Sequence, residues 1–285
     1  MWRRRDRVTQ RVIVRDSSVT GQAMFVTKLK YGAMTAPGRR VGLGEALLRR
    51  IRLLRSQPPD NAARPSQALF LAEALAFAEP VLRRFRPALV VPKARERQIV
   101  ILIPGFATHP MRMRYMAEKL EEAGHKVKRW GLGFNFGPTE ENFAFLSQRV
   151  RDVHARYGRK VVLVGWSLGG IFAREMAKLH PECVSKVITM GSPFSHTPYS
   201  NNVWRLYQLI TGHSVERPPI AADLAAKPPV ETVALWSARD GVVSVRSARG
   251  LAGERDRERA LKCSHMGFSN SAEAILAVAQ ELERR

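Results

Sequence analysis

The chain has 285 residues, of which 45% are hydrophobic, and a formal net charge of +22. This length accommodates one large α/β domain with a short extension, and the apolar content excludes a wholly disordered chain. No apolar stretch reaches the roughly 18 residues that a membrane-spanning helix needs. The cysteines, Cys183 and Cys263, form neither a disulfide framework nor a metal-binding spacing, so we expect a reducing, cytoplasmic location and no metal site.

Residues 1–62 are predicted to be a basic N-terminal arm with one amphipathic helix. Residues 1–42 lack sustained periodicity and contain several glycines, so we expect them to be mobile. No apolar segment follows the first arginines, so no signal peptide is expected. The apolar face of a helix over 43–55 would consist of Leu43, Leu47, Ile51 and Leu54. Such a helix either contacts an anionic membrane peripherally or docks on its own domain with its arginines in solvent.

The high positive charge is typical of proteins that bind nucleic acid or anionic membranes. Its basic residues are mostly arginines and are densest before residue 100. They come without zinc-finger spacing, a recognition-helix pattern or interleaved aromatic residues. We therefore do not expect nucleic acid as a partner.

Residues 63–285 are predicted to form an α/β domain. After a linker over 57–65, an apolar helix within 66–84, ending near Pro80, is expected to cover part of the core. Strands are predicted over 98–103, 126–130, 161–164, 186–190, 231–237 and 259–263. Helices are predicted over 111–123, 140–157 and 271–282, and another follows the third strand. This alternation predicts a mostly parallel sheet with helices on both faces, interrupted by a small lid insertion at about 194–229.

A sharp turn carrying Ser167 is predicted between the third strand and its helix. Residues 165–170 read Gly-Trp-Ser-Leu-Gly-Gly, so a glycine lies two residues before the serine and another two after it. Glycines there remove Cβ atoms that would clash in a strained turn, which projects the serine hydroxyl out of the sheet. The alternative is a glycine-rich turn with a solvated serine.

Two later loops carry an acid and a base that would activate this serine. Asp240 follows the strand over 231–237, and His265 follows the strand over 259–263. Because the carboxyl ends of parallel strands meet at one edge of a sheet, we expect both side chains near Ser167. A histidine can accept and return the serine proton, and a carboxylate orients its ring. The alternative for Asp240 is an ordinary Asp-Gly turn.

Two backbone N–H groups are predicted to bind an oxyanion, and five aromatic residues to form a pocket. One N–H group is that of Leu168, directly after the serine, and the other is that of Phe106, after the first strand. The aromatic residues lie on loops expected at the same edge, where ordinary packing is the alternative. They are Phe134, Phe136, Phe194, Trp204 and Tyr207.

From about Arg97 to its end the chain resembles α/β-hydrolases of the lipase and esterase type. The resembling segments are Ile103–Phe106, Trp130–Asn135, Gly165–Gly170, Gly191–Phe194, Ser237–Gly241 and Ser264–Gly267. The order Ser167, Asp240, His265 is also that of the family. The first 96 residues carry no such resemblance, which implies a reduced sheet of about six strands.

This resemblance implies a serine hydrolase that acts on a small-molecule ester or lipid through an acyl-enzyme, without a cofactor. An acyltransferase would use the same three side chains with another acceptor in place of water. A non-catalytic protein of this fold would instead bind membrane or nucleic acid through its basic arm.

Overall fold

Six strands form one parallel sheet in the computed structural model, which describes residues 42–79, 85, 88–220 and 222–284. The strands are β1 (Ile99–Ile103), β2 (Lys126–Arg129), β3 (Val161–Trp166), β4 (Val184–Met190), β5 (Glu231–Ser237) and β6 (Arg257–Leu261). Their order is β2-β1-β3-β4-β5-β6, and each neighbouring pair is parallel. The predicted parallel sheet is therefore confirmed. The part of the basic arm before residue 42 lies outside the described residues.

Strand β6 ends two residues earlier than predicted. The N–H group of Lys262 donates to both carboxylate oxygens of Glu273, at 3.0 and 2.9 Å, instead of continuing the strand pairing. The following loop, which carries His265, is therefore longer than expected.

Eight α-helices occur in the described part of the chain. They are α1 (Leu43–Leu54), α2 (Gln67–Ala72), α3 (Arg114–Glu122), α4 (Glu140–Tyr157), α5 (Leu168–Leu179), α6 (Trp204–Thr211), α7 (Val245–Arg249) and α8 (Ala272–Glu283). Helix α4 has its predicted ends. The Thr139 hydroxyl accepts a bond from the Asn142 N–H group, and Gly158 ends the helix at a φ of 61°.

Side chains alternate across strand β1 and fill two cores, one on each face of the sheet. Val100 and Leu102 pack with residues of α3 and α8 on one face. Ile101 and Ile103 pack with residues of α4 and α5 on the other. All five residues of β1 are buried, as expected for a strand covered on both faces. The helices hold the sheet so that its carboxyl edge stays open for loops.

The predicted apolar helix, expected to end near Pro80, is oriented differently than expected in its described part. Helix α2 begins after Ser66, whose hydroxyl accepts the Leu69 N–H group, and continues as a 3₁₀ helix over Glu73–Phe77. Leu71 and Leu75 are 73% and 74% exposed, whereas Glu73 is 6% exposed. This segment therefore directs a carboxylate inward and two leucines outward.

Helix α1 docks on helix α6 of the lid insertion through backbone carbonyls. The Arg50 side chain donates to the Leu209 carbonyl at 2.9 Å, and the Gln208 amide donates to the Leu53 carbonyl at 2.8 Å. Leu47 and Leu48 on α1 are 57% and 64% exposed. The helix thus docks by another edge than its predicted apolar stripe, because α6 offers it polar partners.

Candidate active site

Ser167 occupies a strained backbone position at the carboxyl end of β3. Its φ of 54° and ψ of −124° are unusual for a residue other than glycine, and α5 begins at the next residue. Its N–H group donates to the Met190 carbonyl at 2.8 Å, which ties the turn to β4. The side chain is 8% exposed. The structure thus has the predicted strand, sharp turn and helix.

Close packing requires glycine at three positions around Ser167, against backbone at two of them and against the Ser192 side chain at the third. A Cβ atom on Gly165 would lie 2.3 Å from the Gly169 carbonyl oxygen. One on Gly169 would lie 2.2 Å from the Ile103 carbonyl oxygen, and one on Gly170 would lie 1.9 Å from a side-chain oxygen of Ser192. Because backbone cannot move away cheaply, only glycine lets α5 start this close to β1 and β3.

Asp240 and His265 form a buried hydrogen bond between the loops after β5 and β6. Asp240 Oδ2 lies 2.8 Å from His265 Nδ1, and the two residues are 2% and 3% exposed. Asp240 Oδ1 accepts the N–H groups of Val242 and Val243, both at 2.8 Å. Since the carboxylate only accepts, Nδ1 is the donor and Nε2 is left as a proton acceptor.

The surroundings of His265 favour its protonated form. Burial alone lowers the pKa of His265, but the charge of Asp240, its hydrogen bond and the charge of Glu73 together outweigh burial. The pKa of His265 is therefore raised above its ordinary value of 6.5.

Contacts with neighbouring strands place this pair beside the turn that carries Ser167. The Trp166 indole N–H group donates to the His265 carbonyl at 3.0 Å, and the two rings are 5.7 Å apart. Gly191, after β4, leaves room for the Asp240 carboxylate, which would lie 2.9 Å from a Cβ atom there. Four strand ends therefore meet where Ser167, Asp240 and His265 lie.

The loop after β1 passes directly beside Ser167. A Cβ atom on Gly105 would lie 3.2 Å from the Ser167 Cβ atom. Asn135, which is fully buried, holds this loop. Its side-chain NH₂ group donates to the Pro104 carbonyl, and its backbone carbonyl accepts from the Ala107 N–H group, both at 2.7 Å. We did not predict this role, although a polar residue between two phenylalanines in a glycine-rich loop was a signal.

The N–H groups of Phe106 and Leu168 are candidates for binding an oxyanion. Within the described residues, neither donates a backbone hydrogen bond. Leu168 is the first residue of α5, where the helix dipole favours negative charge. Two N–H groups without a backbone acceptor among the described residues, on the loops that meet at Ser167, are available to bind a negatively charged oxygen.

An apolar cavity opens at Ser167 and contains about 910 Å³ of empty space, including its mouth. Trp204 and Tyr207 of α6 line it, together with Leu168 and Phe172 of α5. Burial raises the pKa of Tyr207 to about 12. The Phe106 ring lies 5.3 Å from the Tyr207 ring, which joins the lid helix to the loop after β1. A cavity of this kind suits an apolar ligand.

The other three predicted aromatic residues do not line this cavity. Phe134 and Phe136 are 54% and 53% exposed, and their rings stack on each other at 5.5 Å. Phe194 is 1% exposed and packs against the Arg174 guanidinium, 4.2 Å from its ring centre. The Arg174 guanidinium also donates to the carbonyls of Ala225 and Ala226, so Phe194 supports the end of the insertion instead of the pocket.

Glu73, which precedes the strands, contacts the loops of Asp240 and His265. The sequence patterns did not predict this contact. The Glu73 carboxylate accepts the N–H groups of Gly241 and His265 at 2.9 and 2.6 Å, and that of Met266 at 2.9 Å. A single acid within an otherwise apolar helical stretch was the available signal. Among the described residues, no group of His, Cys, Asp and Glu side chains has an arrangement that could hold a metal ion.

Comparisons with known proteins agree with this geometry. A family model for the alpha/beta hydrolase fold matches residues 98–211. A pimeloyl-[acyl-carrier protein] methyl ester esterase of Aliivibrio fischeri (strain MJ11) is 33% identical over 95 residues, which are 33% of this chain and 36% of that protein. The enzyme of the same name from Edwardsiella ictaluri (strain 93-146) is 38% identical over 68 residues, 24% of this chain and 25% of that protein.

The match thus spans about a third or less of the length of these curated relatives. The crystal structure of Bacillus licheniformis lipase BlEst2 in propeptide form covers 70% of this chain and 53% of that chain, with a TM-score of 0.54 and 18% sequence identity. That likeness shows the fold. With its parallel sheet and the sharp turn at Ser167, the chain has the α/β-hydrolase fold.

Proposed function

We propose that this protein is a serine hydrolase that cleaves carboxylic esters through an acyl-enzyme intermediate. The observation that carries this proposal is the buried Asp240–His265 hydrogen bond of 2.8 Å beside the strained turn at Ser167. A serine hydroxyl is a weak nucleophile at neutral pH, and such a base is what it needs. The curated relatives are named as esterases, which agrees with this reaction class.

In the first half of the reaction, Ser167 Oγ attacks the ester carbonyl carbon while His265 Nε2 takes the serine proton. Asp240 stabilises the resulting imidazolium. The negative oxygen of the tetrahedral intermediate is bound by the N–H groups of Phe106 and Leu168. The carbon–oxygen bond to the alcohol then breaks, and the alcohol leaves with the proton from His265.

In the second half, water replaces the alcohol. His265 Nε2 takes a proton from water as its oxygen attacks the acyl carbon, and the same N–H groups bind the oxyanion. The bond to Ser167 Oγ breaks, the serine regains its proton from His265, and the carboxylic acid leaves. Each turnover thus consumes one water and returns the enzyme unchanged.

The cavity indicates an acyl chain of medium length. Its floor is formed by α5, from Leu168 beside the nucleophile to Glu175, whose carboxylate interrupts the apolar lining. Seven helical steps correspond to ~11 Å, which suits an extended chain of about eight carbons. The Glu175 carboxylate forms an ion pair with Lys178 at 2.6 Å, so it is not a surface for a longer alkyl chain.

The test is hydrolysis of p-nitrophenyl esters from acetate to palmitate, combined with covalent labelling by a fluorophosphonate. We expect the highest kcat/KM at about eight carbons, because shorter chains leave the cavity partly empty and longer ones reach Glu175. Peptide mass spectrometry should locate the label on Ser167. A protein that neither hydrolyses any ester nor reacts with the label would contradict the proposal.

The same assay separates hydrolysis from acyl transfer. With an alcohol added as acceptor, free acid should remain the main product of a hydrolase. A dominant transfer product would instead identify an acyltransferase that uses the same acyl-enzyme.

We further propose that α1 contacts an anionic membrane surface. Its docking on α6 leaves Leu47, Leu48 and Ile51 between 37% and 64% exposed beside the exposed Arg49 and Arg52. Apolar side chains next to arginines suit the boundary between lipid headgroups and acyl chains. No helix in the described ranges is long and apolar enough to cross a membrane.

Sedimentation with vesicles tests this surface. The wild type should bind phosphatidylcholine vesicles that contain phosphatidylglycerol, bind pure phosphatidylcholine far less, and dissociate at high salt. Replacing Leu47 and Leu48 by glutamate should abolish binding, whereas Leu251→Glu, at a leucine 57% exposed elsewhere, should not. Equal binding by all three proteins, or binding to duplex DNA instead, would refute the proposal.

A further inference from the structure

Glu73 is a buried carboxylate that links the loop of Asp240 to the loop of His265. Glu73 Oε1 accepts from the Gly241 N–H group at 2.9 Å and from the His265 N–H group at 2.6 Å. Its Oε2 accepts from the Met266 N–H group at 2.9 Å. One side chain thus bonds to the residue after the acid, to the base itself and to the residue after the base.

Three donors compensate the cost of burying this charge. An ionised carboxylate that is 6% exposed is costly unless its oxygens are hydrogen-bonded. Bonds from backbone N–H groups to a carboxylate are stronger than bonds between neutral groups. Leu71 and Leu75 are exposed, whereas Glu73 faces the domain together with Phe70, which packs against Val242 and Val243.

The segment that carries Glu73 is also attached to the Asp240 loop directly. The Asn202 amide donates to the Pro65 carbonyl at 3.1 Å and to the Gly241 carbonyl at 2.8 Å. A Cβ atom on Gly241 would lie 2.3 Å from the Leu69 carbonyl oxygen, so backbone packs on backbone there. Residues 65–77 are therefore part of the site wall, although they precede the strands.

We propose that Glu73 is a positioning residue for the reaction, holding the acid and base loops at the separation that proton transfer requires. This inference rests on the proposed function of Ser167, Asp240 and His265. The Asp240–His265 hydrogen bond joins the loops through side chains, and Glu73 joins them through their backbones. The bonds of Glu73 fix the position of the His265 backbone. The side-chain bond to Asp240 fixes the orientation of the imidazole ring. Both are needed because small displacements of a catalytic group cost large factors in rate.

Glu73 also contributes negative charge near the imidazole. The groups that face His265 are the carboxylates of Asp240 and Glu73 and the rings of Trp166 and Phe268. Removing the charge of Glu73 disfavours the imidazolium, so the pKa of His265 should fall. The pH at which kcat/KM declines on the acid side should then move down with it. A purely structural role predicts no such movement.

The test is Glu73→Gln, which keeps the shape of the side chain. Its carbonyl can still accept from Gly241 and His265, but its NH₂ group meets the Met266 N–H group, donor against donor. We expect kcat per fluorophosphonate-titrated site to fall about tenfold with little change in KM. NMR titration of His265 should show a lower pKa than in the wild type. Glu73→Asp, which keeps the charge but is one methylene shorter, should lower kcat while leaving this pKa closer to the wild-type value.

Glu281→Gln is the matched control, because Glu281 is another buried carboxylate, 2% exposed. It accepts from Arg257 at 2.8 Å at the opposite edge of the sheet, so its loss should lower thermal stability without changing kcat or the pKa of His265. If both Glu73 variants keep the wild-type kcat and the wild-type pKa of His265, as this control should, Glu73 is only structural and the inference is overturned. If the wild type shows no ester turnover and no labelling, the proposed function fails, and the His265 titration still tests the charge of Glu73 separately.

Discussion

Replacing Ser167 with alanine should lower kcat for ester hydrolysis by about 10⁶-fold, because the variant retains binding but has no nucleophile. The serine is 8% exposed, and within the described residues its hydroxyl donates no hydrogen bond to the protein, so the change should cost little stability. Its φ of 54° is as strained for alanine as for serine. Stopped-flow and steady-state assays with the octanoate ester would measure the rate, and a thermal melt would show that the fold is kept.

Ser147→Ala is the matched control for this prediction. Ser147 Oγ lies 2.7 Å from His180 Nε2, and His180 Nδ1 lies 3.4 Å from a Glu182 carboxylate oxygen. Ser147 lies in helix α4 and His180 directly follows α5, at the end of that helix away from the strained turn and the cavity. Replacing Ser147 by alanine should leave kcat for ester hydrolysis unchanged. Activity that survives Ser167→Ala, or disappears in Ser147→Ala, would show that another serine carries the reaction.

Asp240→Asn should lower kcat by about 10⁴-fold without unfolding the protein. The asparagine carbonyl can still accept the N–H groups of Val242 and Val243, so the loop keeps its bonds. Its NH₂ group then faces His265 Nδ1, which must become an acceptor. The proton moves to Nε2, and the ring can no longer take the proton of Ser167.

The tautomer of His265 is the direct readout of this change. Nitrogen NMR of the imidazole should show Nδ1 protonated in the wild type and Nε2 protonated in the variant. Asp256→Asn is the control, since Asp256 also accepts a backbone N–H group, that of Thr232 at 2.8 Å, but at the far edge of the sheet. If Asp240→Asn kept the wild-type kcat, Asp240 would have no role in the reaction.

Local sequence patterns predicted the alternation of helices and strands. They also predicted which candidate site residues follow the strand ends. Apolar runs bounded by glycine identify buried strands, and in a parallel sheet every such strand delivers its carboxyl end to the same edge. For that reason the sequence predicts Ser167, Asp240 and His265 at one place, and Asp240 and His265 are in hydrogen-bond contact. The requirement for glycine at 165 also follows from the local turn, because a Cβ atom there would meet the Gly169 carbonyl oxygen.

Local patterns did not predict the contacts between segments that are distant along the chain. Phe194 was expected in the pocket because it follows β4, but the Arg174 guanidinium offers its ring a buried partner. The apolar stripe of α1 was expected to contact either a membrane or its own domain, yet α6 presents carbonyl and amide groups that bind the edge with Arg50 and Leu53. Both outcomes depend on the partner surface, which periodicity within one segment does not describe.

The sequence by itself determined the α/β architecture, the serine on its strained turn and the placement of Asp240 and His265 after two later strands, since each depends on residues within one strand and its loop. The tertiary structure decided which aromatic residues line the cavity, how α1 docks, and that Glu73 reaches the site. Glu73 precedes His265 by 192 residues. A carboxylate in an apolar helix indicates that a partner exists, but only packing across the whole domain shows that the partners are the backbone N–H groups of the two loops.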